Sequence, residues 1–331
     1  MSCQVMVAGN WFDYAAQSLT HALVAALVVE ALLRMWHARS PDDRLVLRLC
    51  GLGQPLFVTP ALFLLAPQRA GEDFRDRWAL FSARHWQEVT FLGVSAFQAG
   101  VVVLAALGSA LFLMDLVPLV RSRRRPMPAG VSPPPALEAE LAEVAEVAAE
   151  RHVRAPAIHF LESRAPLLFC SGVRAPVLVV SSGVLALLDP EELRAALRHE
   201  LAHLARHDPA FSWVLMAVRS VLFFNPVAQV VARALSRDAE WRADEDAGGD
   251  RLALASAVLK LYRAGVARAG PGRRLRQLAA FAEPLRRVRS HDVEARCRRL
   301  LEPAPPPPLT LRGFRMALVV LSLAVLTSLV S

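Results

Sequence analysis

The chain has 331 residues, 54% of them hydrophobic, and a mean hydropathy of +0.35. This apolar share exceeds what the core of a soluble protein of that length normally requires, so part of the chain is expected to lie in lipid. The formal net charge is +8, but nearly all the basic residues are arginines at the edges of apolar runs, which favours membrane orientation and argues against direct nucleic-acid binding.

The amino-terminal part, residues 1–125, is predicted to be a membrane region with three helical spans. The apolar runs that suggest these spans lie at residues 16–36, 49–67 and 90–120. The first run ends at Arg34 and the third at Arg121, so both exits are predicted to face the cytoplasm and the amino terminus to lie outside. The second contains Pro55 and Pro60, which weaken its helical pattern, but the chain must return between two spans that run in the same direction.

A proline-rich linker at residues 126–135 is predicted to separate this region from a folded domain at residues 136–302. An acidic amphipathic helix is expected near residues 136–150, followed by short β-like runs at 157–161, 167–170 and 176–181. This mixture indicates an α+β domain. Residues 312–331 form a final apolar run that is predicted to be a carboxy-terminal transmembrane helix.

The motif R-H-E-L-A-H carries the clearest chemistry of the chain. His199 and His203 are four residues apart and therefore lie within about 40° of each other on a helix, so both imidazoles can reach one metal ion. Glu200 then falls beside the metal, where its carboxylate can take a proton from the attacking water. Asp189 is a favourable N-cap and Pro190 fits the first helical position, which predicts that the motif lies on a helix.

An alternative interpretation is an exposed helix whose histidines only decorate its surface. His207 continues the face formed by His199 and His203, and it is expected to be a surface residue and not a ligand.

A zinc peptidase requires three protein ligands and one open coordination position, so a third donor must come from another segment. The run D-A-E-W-R-A-D-E-D-A places Glu240 and Asp244 four residues apart on one helical face. One of them can bind the metal while the other braces a ligand histidine, and we favour Glu240 as the ligand. Without the H-E-L-A-H motif, the same run would be interpreted as a solvated acidic helix end before Gly248.

The motifs R-H-E-L-A-H-L-A-R-H-D, F-N-P and E-W-R-A-D together resemble the membrane zinc peptidases of the beta-lactam sensor and antirepressor family. The segments S-G-V-R-A-P-V-L-V-V and E-A-R-C-R-R-L-L extend this resemblance over most of residues 160–301. It implies an α+β gluzincin-like zinc peptidase domain that faces the cytosol, combined with a multi-span α-helical membrane region.

The resemblance also implies the composition of the site. One Zn²⁺ per chain would be held by His199, His203 and Glu240, with Glu200 as general base and Asp244 as an outer carboxylate. The sequence ends at Ser331, directly after the last apolar run, so a short form without a penicillin-binding sensor is expected.

The function expected from these features is that of an integral zinc endopeptidase of the inner (plasma) membrane. Its partners would be the lipid bilayer and a cytosolic protein substrate, with a winged-helix transcriptional repressor as the candidate, cleaved by Glu-assisted attack of zinc-activated water. One alternative is a heat-shock-type membrane quality-control metallopeptidase. Another is a non-catalytic zinc-binding membrane receptor, against which the intact Glu200 argues.

Quality-control peptidases of the heat-shock type usually have two spans between the H-E-x-x-H motif and the third ligand. Here the apolar segment between the motifs, residues 211–224, has about 14 residues and contains Arg219, which is too short for two crossings. We expect it to lie in the membrane interface or to pack inside the peptidase domain.

Three further side chains or segments give weaker hypotheses. Glu30 lies within the first predicted span and is expected either to have a function or to pair with Arg34 one turn away. The run at 176–181 could be an edge strand that pairs with an extended substrate. Arg237 is a hypothesis for the residue that stabilises the oxyanion.

Overall fold

The structure is a computed structural model in which contacts divide the chain into two compact units. The first unit comprises Met1–Met114, Ala217–Leu235 and Pro306–Ser331, and the second comprises Asp115–Met216 and Ser236–Pro305. The residues that the structure describes are 3–66, 68, 89–91, 93–123, 130–137, 142, 145, 146, 148, 149, 154–267, 290–302 and 312–328. Most of the acidic helix expected near residues 136–150 therefore lies outside the described residues.

The first unit begins with long apolar helices, as the sequence predicts. These are α1 (Cys3–Met35), α2 (Pro41–Gly53), α3 (Thr59–Leu65) and α4 (Ala96–Arg123), whose last residues, from Asp115 on, are grouped with the second unit. Three stretches are long and apolar enough to cross a bilayer, namely Phe12–Met35, Pro41–Leu62 and Ala96–Val120. Near the carboxyl end of the chain, α11 (Arg312–Ser328) has a shorter apolar stretch, Gly313–Leu326.

In the second span a π-helical turn at Gln54–Val58 joins α2 to α3 and contains Pro55, whereas Pro60 lies in the first turn of α3. The Thr59 N–H bonds to the Gln54 carbonyl five residues back, as in a π-helix. The helical run therefore begins at Pro41, before the predicted start of the apolar run.

The helix of the third predicted span begins later in the sequence than expected. Two short antiparallel strands, β1 (Thr90–Phe91) and β2 (Val94–Ser95), precede α4. Gly93 lies between them with a φ of 79°, a conformation that glycine adopts without strain. The helix consequently starts at Ala96 and not at residue 90.

Glu30 forms an ion pair that the sequence did not indicate. Its Oε1 accepts a hydrogen bond from Nε of Arg48 at 2.8 Å, so the pair joins α1 to α2. The expected partner was Arg34, on the same helix. The Arg48 side chain is buried, which is the arrangement expected of a charged group near lipid.

A three-stranded sheet forms one part of the second unit. Its strands are β3 (Ala157–Leu161), β4 (Leu168–Ser171) and β5 (Val177–Ser181), close to the predicted runs. The strand order is β3-β5-β4, with β5 parallel to β3 and antiparallel to β4.

The hypothesis that residues 176–181 form an edge strand is therefore wrong, because β5 is the central strand. Its residues Leu178, Val179 and Val180 are completely buried, as is typical of a strand covered on both faces. The outer edge of β3 is partly covered, since the Val131 N–H donates to the Phe160 carbonyl at 2.9 Å. Among the described strands, β4 forms the other edge of this sheet.

Six further described helices lie wholly or partly in the second unit. They are α5 (Ser182–Leu185), α6 (Pro190–Ala205), α7 (Asp208–Val221), α8 (Pro226–Ala247), α9 (Arg251–Ala267) and α10 (Ser290–Leu301). Apolar side chains of the sheet, α6 and α9 form one core, which includes Leu178, Val180, Leu197, Leu201 and Ala257.

Helices α7 and α8 form a hairpin whose tip does not belong to the second unit. Residues 217–235 are grouped with the apolar helices of the first unit. The sequence analysis placed the segment 211–224 in the membrane interface or inside the peptidase domain. The structure brings Phe224, at the end of this segment, close to Tyr14 of α1 and Gly108 of α4, and the start of α8 also contacts α4. The position in the membrane interface stays a prediction.

Helix α6 begins with a complete capping box, as Asp189 and Pro190 predict. The Asp189 side chain accepts a hydrogen bond from the Glu192 N–H at 2.9 Å, and the Glu192 side chain accepts one from the Asp189 N–H at 3.0 Å. Glu192 is also bound by Ser256 and Lys260 of α9. The start of the H-E-L-A-H helix is therefore fixed from two sides.

We expect Asp189→Ala to lower the free energy of unfolding of the second unit by about 1 kcal/mol, because it removes the N-cap acceptor. Asp189→Asn should retain most of this stability, since asparagine is an equally good N-cap. Thermal unfolding followed by circular dichroism measures the difference. Equal midpoints for the alanine and asparagine variants would contradict the role of the cap.

Candidate metal centre

His199 and His203 lie on one buried face of α6, as their spacing predicts. Their rings meet edge to face, and the two Nε2 atoms are 3.1 Å apart. The helix thus presents two imidazole nitrogens to the same small volume.

Glu240 of α8 reaches this volume from a second helix. Its Oε2 is 3.7 Å from Nε2 of His199, and its Oε1 is 3.7 Å from Nε2 of His203. The ligand atoms of these three residues all lie within 4.8 Å of one another. The structure therefore brings together the three residues that the sequence analysis predicts as metal ligands.

The donor set and its spacing fit a zinc ion. Two ligands at tetrahedral positions around zinc, each about 2.0–2.1 Å from it, are separated by about 3.3–3.4 Å. The observed separations of 3.1 and 3.7 Å lie on either side of that value. Two histidines and one glutamate are also the ligand set of catalytic zinc in several peptidases, in which the fourth position is open to water.

Both histidines are oriented by buried aspartates through their other ring nitrogen. Nδ1 of His199 is 3.0 Å from Oδ1 of Asp244, and Nδ1 of His203 is 2.8 Å from Oδ2 of Asp208. An ionised carboxylate only accepts hydrogen bonds, so each Nδ1 carries the proton and each Nε2 presents a lone pair. The two Nε2 atoms are 3.1 Å apart, and Nη2 of Arg296 lies 3.4 Å from Nε2 of His199. A cation bound by both Nε2 atoms would stabilise this arrangement.

Each of these aspartates is in turn paired with an arginine. Arg296 of α10 donates to Asp244 through both Nη2 and Nε, at 2.6 and 2.9 Å. Arg242 of α8 donates to Asp208. Each aspartate–arginine pair therefore supports one histidine through its Nδ1, the ring nitrogen that does not face the candidate metal position.

Asp244 is ionised at neutral pH. Burial by itself would raise its pKa, but the charge of Arg296 and the hydrogen bonds from His199 and Arg296 outweigh burial and lower the pKa to about 2. Nη1 of Arg296 is also 2.9 Å from Oε2 of Glu240. One buried guanidinium therefore contacts two of the carboxylates around the histidines.

Glu200, the predicted general base, is buried beside the two histidines on α6. Its Oε2 accepts a hydrogen bond from the backbone N–H of Cys170 at 3.0 Å. Cys170 belongs to β4, so the carboxylate is oriented by the edge strand of the sheet.

Sequence reasoning missed three residues around the site, namely Asp208, Arg242 and Arg296. Asp208 stands five residues after His203, where a carboxylate that starts the next helix could have been recognised as a brace. Arg296 lies 52 residues from Asp244 in sequence, and only the tertiary fold brings it there.

Two residues named in the sequence analysis have other environments. Arg237, the hypothesis for the oxyanion, is half exposed and lies 3.8 Å from Asp292. His207 is exposed, as expected, with a φ of 58° just beyond the end of α6.

The site combines two histidines of one helix with a glutamate from a later helix, and a second, buried glutamate follows the first histidine. This combination is that of a metallopeptidase type of site. Comparison with known proteins agrees with this class. The profile of the BlaR1 peptidase M56 family matches residues 76–251, which is more than half of the chain. The chain belongs to this family.

Several curated relatives carry the name Protease HtpX homolog. That of Pseudarthrobacter chlorophenolicus is 34% identical over 154 residues, which cover 36% of this chain and 53% of the relative. Those of Paenarthrobacter aurescens and Methylibium petroleiphilum are 33% and 29% identical and cover 38% and 36% of this chain and 57% and 55% of the relatives. The chain spans about half the length of the curated relatives it matches.

Purified protein is expected to hold about one zinc ion per chain. His199→Ala and His203→Ala should abolish zinc binding because each removes a nitrogen donor. Glu200→Gln should retain the metal, since glutamine preserves the size of a side chain that is not a ligand. Elemental analysis of the purified variants measures this, and equal zinc content in the wild type and the double histidine variant would contradict the proposed ligands.

Asp208→Ala is expected to weaken zinc binding by about 10- to 100-fold, because His203 loses the carboxylate that sets its tautomer. Asp246→Ala is the matched control, since Asp246 pairs with Arg206 and is partly exposed. Competition with a chromogenic zinc chelator measures both affinities. Equal loss in the two variants would mean that Asp208 does not act through His203.

Proposed function

We propose that this chain is an integral-membrane zinc endopeptidase that hydrolyses peptide bonds of a cytosolic protein. The observation that carries the proposal is the His199, His203 and Glu240 cluster, with the buried carboxylate of Glu200 beside it. Membership of the M56 peptidase family and the three apolar helices support it.

Each residue has a definite part in the proposed reaction. Zinc would supply Lewis acidity, which makes water a stronger acid and polarises the scissile carbonyl. Glu200 takes a proton from the attacking water and delivers it to the leaving amine, so that one carboxylate serves first as base and then as acid. The backbone N–H of Cys170 holds Oε2 of Glu200 in place during both transfers.

An extended substrate would pair with β4 and not with β5, since β5 is covered on both sides. Pairing with an edge strand supplies backbone hydrogen bonds that are independent of side-chain identity. The Cys170 N–H of this strand contacts Glu200, so a peptide along β4 would lie beside the general base. Specificity would then come from a few side-chain pockets and from confinement to the membrane.

The proposed substrate is a cytosolic regulator of the winged-helix repressor type. The arguments are the arginine-rich ends of the first and third spans, which favour a cytosolic catalytic domain, and the resemblance to the sensor and antirepressor group within the family. The proposed location is the inner membrane, with the amino terminus outside.

A second candidate is membrane-protein quality control of the heat-shock type. The specific observation in its favour is that curated relatives carry the name Protease HtpX homolog. The length of sequence between the zinc motifs had argued against this type, but the α7–α8 hairpin reaches the apolar helices of the first unit. Both candidates use the same catalytic residues and differ in their substrates.

A non-catalytic zinc receptor is less well supported. A structural site does not require a carboxylate at the position of Glu200, and here that side chain is buried and oriented by a backbone N–H.

Reporter fusions test the proposed topology. A fusion of alkaline phosphatase after Gly130 or Gly248 should be inactive, because the proposed location of both positions is the cytosol, where this reporter does not form its disulfides. A fluorescent protein fused at the same positions serves as the control for expression. Strong phosphatase activity at either position would overturn both the orientation and the cytosolic substrate.

Co-expression with a winged-helix repressor encoded beside the gene for this chain, once one is identified, tests the substrate. The wild type should produce repressor fragments under inducing conditions, whereas Glu200→Gln should produce none, because the variant keeps the site but lacks the base. Sequencing of the new amino terminus then locates the cleaved bond. If fragments are never formed while misfolded membrane proteins accumulate in the Glu200→Gln strain, quality control replaces repressor cleavage as the function.

A further inference from the structure

At the tip of the α7–α8 hairpin, the distribution of polar and apolar side chains is the reverse of that on a protein surface in water. Its apolar side chains are turned outward, with Val221, Phe223 and Val230 exposed by 59%, 47% and 57%. Its polar side chains Arg219 and Gln229 are buried instead. A hairpin in water would expose the arginine and glutamine and bury the valines, so water is not the solvent that this surface matches.

The buried polar side chains form hydrogen bonds with backbone groups where the hairpin turns. Arg219 donates from Nε to Oε1 of Gln229 at 2.8 Å, and Nε2 of Gln229 donates to the carbonyls of Arg219 and Leu222 at 3.2 and 3.0 Å. Oδ1 of Asn225 accepts from the Ala228 N–H at 3.1 Å and so caps α8. Irregular backbone at membrane depth requires internal partners of this kind.

The tip also packs against the middle of a membrane-spanning helix. A Cβ on Gly108 of α4 would lie 2.3 Å from the carbonyl oxygen of Phe224, so only glycine permits this approach. Gly108 lies twelve residues from each end of the stretch Ala96–Val120, or about 18 Å along the helix axis. Close packing of backbone on a small residue is typical of helices in membranes.

Three further hydrogen bonds, two from Asn225 and one from Arg233, attach the tip to the spans. Nδ2 of Asn225 donates to the carbonyl and hydroxyl oxygens of Ser18 on α1, at 3.0 and 3.3 Å. Nη2 of Arg233 donates to the carbonyl of Leu111 on α4 at 3.0 Å. The turn is therefore attached to two spans at the level of their apolar stretches.

We propose that the α7–α8 hairpin re-enters the bilayer, reaches about the midplane and turns back, with Val221, Phe223 and Val230 in contact with lipid acyl chains. A crossing is excluded by length, because the 14 residues of α7 extend about 21 Å and the hydrocarbon core is about 30 Å thick. The opposite ends of the hairpin carry Asp208 and Glu240, which both contact His203. The hairpin therefore enters and leaves the membrane on the same side.

An environment-sensitive fluorophore on single cysteines tests this proposal. The full chain, with its four native cysteines replaced by alanine, is labelled at Val221→Cys or Val230→Cys and reconstituted in phosphatidylcholine vesicles. Both labels should show blue-shifted emission and loss of quenching by aqueous iodide, because hydrocarbon excludes the ion. Zinc content of each labelled protein confirms that the second unit is folded.

Two exposed valines provide matched controls. Val103 on α4 is 65% exposed and should report lipid, whereas Val173, in the loop between β4 and β5, is 53% exposed and should report water. If the labels at Val221 and Val230 respond like the one at Val173, the proposal is wrong. It is also wrong if a membrane-impermeant maleimide labels Phe223→Cys in intact cells, because the turn would then be accessible from the outer side of the membrane.

A pair of glycine substitutions tests the attachment of the tip independently. Gly108→Val should displace Phe224 and restore iodide quenching of the label at Val221. Gly100→Val on the same helix should leave quenching unchanged, since a Cβ there has no neighbour within 4 Å. An unchanged label in both variants would contradict the packing of the tip on α4.

Discussion

The candidate metal centre depends on two buried carboxylates, Asp208 and Asp244, that contact the Nδ1 atoms of His203 and His199. The spacing of the H-E-L-A-H motif brings two imidazoles to one face of a helix, but it does not decide which ring nitrogen carries the proton. The aspartates decide this, because an ionised carboxylate can only accept. Each histidine thereby presents an Nε2 lone pair toward the same point.

Four helices have to come together for this arrangement. Helix α6 supplies the histidines, α7 begins at Asp208, α8 carries Glu240 and Asp244, and α10 contributes Arg296. Arg296 keeps Asp244 ionised at a buried position where a carboxylate alone would be neutralised. The edge strand β4 completes the site from the sheet by orienting Glu200. The chemistry therefore rests on long-range packing as much as on the motif.

Much of this arrangement was predictable from local patterns. The capping residue Asp189 and the four-residue spacing of His199 and His203 are local features, and both the helix and its buried face follow from them. The choice of Glu240 over Asp244 as the ligand stays a prediction; in the structure Glu240 contacts both Nε2 atoms, whereas Asp244 contacts an Nδ1. The three short strands were located within one residue at each end.

What could not be predicted depends on neighbours that are distant in sequence. A buried apolar run such as 177–181 has the same pattern whether one or two strands pair with it, so its central position was missed. The partner of Glu30 proved to be Arg48 on another helix, and no periodicity within α1 reveals it.

The surroundings of the α7–α8 hairpin could not be predicted from the sequence either. Its apolar stretch is shorter than a span, and its single arginine suggests an interface. The buried position of Arg219 beside Gln229, and the close approach of Phe224 to Gly108, appear only in the tertiary structure. Length and hydropathy, which identify complete spans, are insensitive to a hairpin that turns within the bilayer.

X-ray absorption at the zinc edge tests the central claim, the identity of the ligands, most directly. The account predicts a first shell of nitrogen and oxygen atoms at about 2.0–2.1 Å with the multiple-scattering pattern of two imidazoles, and a change in the oxygen shell of Glu240→Gln without loss of either imidazole. Sulfur scattering at about 2.3 Å, a single imidazole, or an identical spectrum for Glu240→Gln would contradict it.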